Sequence, residues 1–178
     1  MTLAARIVEG RLILSAMNDA RGDVSVEALV RRVGFDGRTL DEKPLSAKVH
    51  STRAVEVGRL AVPDGRDFFY VIEGRHAGAK AYDPSLRVVV FPDKFKRYDL
   101  PDAAVRAEAG AKPGTFTLSA DRPAFFVKPE ASEFAGAFDD ASFALLPGEK
   151  RTVTFRSFDE RMPGLADVEL THLAATYR

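Results

Sequence analysis

The chain has no cysteine, no tryptophan, no net charge and no long apolar run, and each absence removes a class of protein. Without cysteine there are no disulfides and no thiolate metal sites, although this leaves the compartment open. The 26 basic and 26 acidic residues cancel, so no overall field draws the chain to nucleic acid or to an anionic membrane. The small basic cluster Lys94, Lys96 and Arg97 reads as a solvated linker face. Glu9 and Arg11 interrupt the N-terminal MTLAARIVEGRLILSAMND before an apolar core of signal-peptide length can form. No stretch approaches the ~20 apolar residues of a membrane-spanning helix. A soluble chain is therefore expected, with the cytoplasm favoured. Finally, no long segment holds the i, i+3, i+4, i+7 period of an amphipathic helix.

What remains is a strand pattern. At 178 residues, 46% hydrophobic and 29% charged, the chain is apolar enough to fold, as one average domain or two small ones. Leu12 to Met17 predict a short strand closed by Asn18-Asp19. Val24, Val26, Ala28 and Val30 alternate with polar neighbours, which predicts a half-buried strand, and Phe35-Asp36-Gly37 then supplies a hairpin turn. Leu40 to His50 is less regular, and Pro44 argues against a central strand there. Val55, Val57, Leu60 and Val62 resume the pattern before the Pro63-Asp64-Gly65 turn. Phe68 to Ile72 and Leu86 to Phe91 are aromatic and β-branched runs, with Gly74 and Gly78 in a loop between them.

Pro92 to Ala104 has two prolines, Pro92 and Pro101, and no periodicity, so the domain boundary falls there, dividing the chain into 1–98 and 99–178. Val105 to Ala109 and Thr115 to Ser119 open a second strand set around the turn Gly110 to Gly114. Phe125 to Val127 predict a strand ended by Pro129. Leu145-Leu146-Pro147-Gly148-Glu149 predict a tight turn, in which proline presets one φ and glycine accepts a positive φ at the next position. Val153 and Phe155 alternate after it, and Val168 to Leu173 form the last strand. The expectation is an all-β protein of two tandem sandwiches, the second with six or seven short strands.

Three pieces of the second half carry a resemblance: LSADRPAFFV (118–127), FDDASFALLPGEKRTVTF (138–155) and LTHLAATYR (170–178). In this order they resemble the C-terminal immunoglobulin-like domain of β-mannosidases in glycoside hydrolase family 2. The first half is similar to the immunoglobulin-like sandwich preceding it, through SAMNDARGDVSVEALVRRVGFDGRTL (15–40) and VVVFPDKFKRYDLPDA (88–103). One departure lies at Phe138 to Phe143, where relatives tend to carry asparagine and glycine after the first acidic residue.

In those enzymes a (β/α)₈ barrel holds both catalytic glutamates, and two sandwiches follow it. A barrel needs about 200 residues or more, and retaining glycosidases set two carboxyl groups ~5 Å apart. No residue here matches a barrel motif, so the resemblance implies no catalytic residue in this chain. It implies a non-catalytic module that packs on the catalytic barrel of a parent β-mannosidase-type glycosidase. Taken alone, the chain is expected to be inactive and without cofactor.

The competing reading is an independent carbohydrate-binding or protein-interaction sandwich. Phe68, Tyr70, Phe125 and Phe126 lie in strand patterns and are assigned to the core. Tyr82 and Tyr98 sit in loops and are the candidate sugar contacts. Asp139-Asp140 with Glu133 offers carboxylates, but the spacing fits no compact calcium loop, and an acidic turn is the expectation. His50, His76 and His172 are scattered and read as structural. Ser119, Ser132 and Ser142 occupy no nucleophile-elbow context, and the glycines of Gly74 to Gly78 open no helix that would make a phosphate loop.

Overall fold

The computed structural model describes residues 1–177; Arg178, the last residue of the piece LTHLAATYR, lies outside the described residues. The chain is all β and divides into two compact units, Met1–Gly34 with Arg38–Tyr98, and Phe35–Gly37 with Asp99–Arg178. Helical structure among the described residues is confined to short 3-10 turns. No helix among them is long and apolar enough to cross a membrane.

The first unit has seven strands: β1 (Thr2–Val8), β2 (Arg11–Asn18), β3 (Val24–Gly34), β4 (Thr39–Val49), β5 (Arg53–Ala61), β6 (Phe68–His76) and β7 (Asp83–Val90). They form a three-stranded sheet ordered β1-β2-β5 and a four-stranded sheet ordered β4-β3-β6-β7. Their inner faces meet in one core. Leu3, Leu12, Leu14, Ala16 and Val57 come from the first sheet, and Val26, Ala28, Val30, Val49, Phe68, Tyr70, Ile72 and Leu86 from the second. Each large side chain removed from water in this way contributes ~1.5–3 kcal/mol.

The alternation expected at Val24 to Val30 is the inner face of β3. The turn expected at Asn18 is a buried device: Asn18 Nδ2 donates to the carbonyls of Gly22 (2.7 Å) and Val49 (3.2 Å), while its Oδ1 accepts from Ala20 N at 3.0 Å. Its side chain therefore ties β2 to the end of β4.

Three features of this unit differ from expectation. β1, which has no strand signal of its own in the sequence, pairs with β2 along its whole length, from Thr2↔Met17 to Val8↔Arg11. β4 is a full strand of eleven residues despite Pro44. It lies at the sheet edge, where a missing N–H can face solvent instead of a ladder partner. Gly74 belongs to β6 and not to a loop. A Cβ placed there would meet Leu3 Cδ1 at 2.5 Å and Leu86 Cβ at 3.0 Å, so glycine is the residue that lets the two sheets approach. The phase change from Val55/Val57 to Leu60 also has a cause: the β2–β5 register slips between Leu14↔Gly58 and Ser15↔Glu56, which leaves Val57 as the bulged residue.

The second unit has β8 (Val105–Ala109), β9 (Thr115–Ala120), β10 (Ala124–Glu130), β11 (Gly136–Phe138), β12 (Phe143–Leu145), β13 (Lys150–Ser157) and β14 (Glu169–Thr171). The sheets are ordered β11-β13-β9-β8 and β12-β10-β14. Phe116, Leu118, Ala120 and Val153 pack against Ala124, Val127 and Leu145 across the core. A four-plus-three arrangement of antiparallel strands about one core is the immunoglobulin-like sandwich.

Here the expected turn forms as read. Glu149 N donates to Leu146 O at 3.0 Å, and Gly148 has φ +82°. Pro129, however, does not end its strand; it pairs with Leu170 of β14. Val127 O accepts from Ser142 N, so the alternate residue Pro129 turns its nitrogen to the same side, beyond the last β12 pair at Val127↔Phe143. No ladder bond is lost there. β14 is shorter than the expected 168–173 strand, because His172 O accepts from Ala175 N and the chain turns into a 3-10 segment.

Candidate functional site

Tyr82 and Tyr98 occupy different surroundings. Tyr82 is 38% exposed, and the Arg75 guanidinium stands over its ring at 5.3 Å from the centroid. That guanidinium is itself fixed by Glu27 at 2.7 Å. Tyr98 is half-buried. Its ring lies 5.6 Å from Phe91, which also meets Phe95 at 4.7 Å, and its hydroxyl accepts from Asp93 N at 2.6 Å. Burial raises the Tyr98 phenol above its ordinary pKa. Tyr98 thus fastens the segment that follows β7.

Of the aromatic residues assigned to the core, Phe68, Tyr70 and Phe125 are buried, but Phe126 is 45% exposed. The exposure of Phe126 has a backbone cause. The β10–β12 register shifts between Ala124 and Val127, and within that bulge Phe126 takes φ +53°. A bulky residue in the left-handed region is strained, and here the strain accompanies a ring turned out of the core.

The acidic turn is tied down by its neighbours. Asp139 Oδ1 accepts from Thr154 N at 2.8 Å, and Asp140 accepts from Arg151 Nε at 2.6 Å. Arg151 also stands over the Phe143 ring at 4.7 Å. Among the described residues no group of three or more His, Asp or Glu side chains is placed to hold a metal ion. His50 bonds Asp23 at 3.0 Å on an exposed loop, whereas His172 is buried with no hydrogen-bond partner at Nδ1. At Asp23, the Lys48 ammonium, the Ser51 amide and the His50 ring hold the carboxyl down to about 2.

Among the described residues each unit has an open cavity on its surface. In the second unit a groove of about 340 Å³ runs past Lys128, Glu130, Ser132, Phe134, Phe138 and Phe155. The edge of Phe138 meets Phe155 at 5.3 Å, and Arg161 stands over Phe134 at 5.7 Å. In the first unit a cavity of about 400 Å³ is lined by Arg32, Asp41, Lys43 and Tyr70 on one side and Leu60, Ala61 and Pro63 on the other. The sequence carries a signal for the first unit's cavity alone: in the alternation Val24, Val26, Ala28, Val30 the next inward position on β3 is Arg32.

Both units are immunoglobulin-like sandwiches of seven strands. Residues 100–174 match the Ig_mannosidase family model, an Ig-fold domain, which bears out the resemblance read from the second half of the chain. In structure the chain is similar to β-D-mannosidase from Dictyoglomus thermophilum, with a TM-score of 0.75 at 15% identity, over 96% of this chain and 21% of that one. It is also similar to the exo-chitosanase of Amycolatopsis orientalis, with a TM-score of 0.56 at 16% identity, over 96% of this chain and 25% of that one. The chain therefore spans a fifth to a quarter of the length of these enzymes. No curated protein sequence matches it.

Proposed function

We propose that this chain is the non-catalytic C-terminal module of a β-mannosidase-like glycosidase, made of two sandwiches meeting between Tyr98 and Asp99, and that it packs on a catalytic barrel carried elsewhere in the parent enzyme. The observation that carries this reading is the Ig_mannosidase match over residues 100–174, on a chain that covers only 21% of the β-D-mannosidase it resembles. The surface of the second unit supports it. In the β13–β14 connection Phe158 is 81% exposed, although its backbone N–H is fixed to Ala135 O at 2.8 Å. Met162 and Leu165, in the same connection, are exposed as well. Apolar side chains left in water on a backbone that is itself tied down are what a docking surface offers.

An antibody against the chain, used on the source cells, tests the reading. The expected band is several times larger than 19.5 kDa. A band at 19.5 kDa would overturn it in favour of a sandwich pair that acts alone as a binding module. Purified chain is expected to leave an aryl β-mannoside intact.

A further inference from the structure

The inner face of the four-stranded sheet in the first unit changes character at one end. Residues 26, 28 and 30 of β3 are buried apolar side chains, and the next inward residue is Arg32. Arg32 lies opposite Tyr70 on β6 and opposite Asp41 on β4, so Asp41, Arg32 and Tyr70 form one cross-strand row. Lys43, opposite Val30, projects on the same face. A bulge between the pairs Arg32↔Asp41 and Val33↔Thr39 leaves Leu40 without a partner. Such bulges bend an edge strand and re-aim its side chains. Opposite the row, Leu60, Ala61 and Pro63 form an apolar wall.

The charges of this end are unmatched. On the outer face of the same sheet Arg31 pairs with Glu73 at 2.7 Å and Arg75 with Glu27 at 2.7 Å. On the inner face, among the described residues, Arg32, Asp41 and Lys43 have no ion-pair partner. Arg32 Nε is buried without any hydrogen bond, and its guanidinium rests over the Phe68 ring at 5.4 Å. Closing a core needs only an aliphatic side chain here. A guanidinium without an ion-pair partner on the wall of a cavity is one that an anionic ligand can pair with.

We propose that this end of the first sandwich is a binding pocket for a small hydroxylated monocarboxylate of the uronic acid class. The Arg32 fork and Lys43 would take the carboxylate, because a guanidinium pairs with it bidentately. Asp41 and the Tyr70 hydroxyl would meet the ligand's hydroxyl groups, and its C–H face would lie on Leu60 and Pro63. Two cations against one anion leave the pocket with one net positive charge, which selects an acid over a neutral sugar. A cavity of about 400 Å³ falls within the range of small-molecule sites.

The test is a titration of the 178-residue chain with D-glucuronate followed by amide chemical shifts, with D-glucose as the neutral control. Saturable shifts are expected at Arg32, Lys43 and Tyr70, with glucose weaker by about tenfold or more, in line with the value of a charge-assisted pair. Arg32→Met should weaken glucuronate binding by a similar factor. Lys43→Gln, on the exposed edge strand, gives an independent reading with several-fold weaker binding should Arg32→Met fail to fold. Equal binding of glucose, no saturable shift up to about 50 mM, or unchanged affinity in a folded variant would each overturn the proposal.

Discussion

Leu146 and Glu149 bond to each other twice. Glu149 N donates to Leu146 O at 3.0 Å, and Leu146 N donates back to Glu149 Oε2 at 2.9 Å. Pro147 and Gly148 supply the turn between them, with Gly148 at φ +82° and open space where a Cβ would stand. Gly148→Ala should therefore cost about 1 kcal/mol through backbone strain alone. Glu149→Ala should cost a similar ~1 kcal/mol through the lost side-chain bond. Urea unfolding followed by amide chemical shifts of the second unit reads both. A neutral Gly148→Ala would mean that the turn does not hold this conformation in solution.

Asn18 should be among the more sensitive positions of the first unit, since one buried side chain serves the carbonyls of Gly22 and Val49 and the amide of Ala20. Asn18→Ala is expected to cost ~2 kcal/mol, because it strands buried acceptors. Asn18→Asp should do no better, since a carboxylate cannot donate to either carbonyl. A thermal midpoint unchanged in both variants would refute this role.

The Asp23 carboxyl sits at about 2, against an ordinary value of 3.8, because it accepts from Lys48, Ser51 N and His50. A lowered folded-state pKa stabilises the fold above the unfolded value, and that stabilisation fades as pH falls from about 4 through about 2. Carboxyl carbon chemical shifts should titrate Asp23 near 2 in the native chain. Lys48→Gln should move the midpoint toward 3.8. A native midpoint already near 3.8 would show that the cluster is open in solution.

At the acidic turn, Asp140 is engaged by Arg151 and Asp139 by Thr154 N. Calcium up to about 10 mM should leave the thermal midpoint unchanged. Arg151→Gln should lower stability by about 1 kcal/mol, through the lost ion pair and the lost stacking on Phe143. Saturable stabilisation by calcium would reverse the reading and make Asp139-Asp140 a metal site.

Local chemistry by itself determined the all-β class, the inner face of β3, the Leu146–Glu149 turn and the strands at Phe68 and Val153. Each is specified by residues close in the chain: period-2 alternation, or a proline and a glycine at adjacent turn positions. Tertiary structure decided the rest. β11 and β12, three residues each, exist because β13 and β10 offer them a ladder. Pro44 and Pro129 are tolerated because their strands lack a neighbour on the side that the nitrogen faces. Gly74 reads as a loop residue until Leu3 is brought against it from the other sheet. Phe126 reads as core until a register shift turns it out. The unmatched charges around Arg32 followed the same rule: alternation placed Arg32 on the inner face, but only the pairing of β3 with both β4 and β6 set Asp41, Lys43 and Tyr70 around it. Strand partners distant in sequence supply the hydrogen bonds and contacts that choose among locally equivalent conformations, and a single chain segment does not encode its partner.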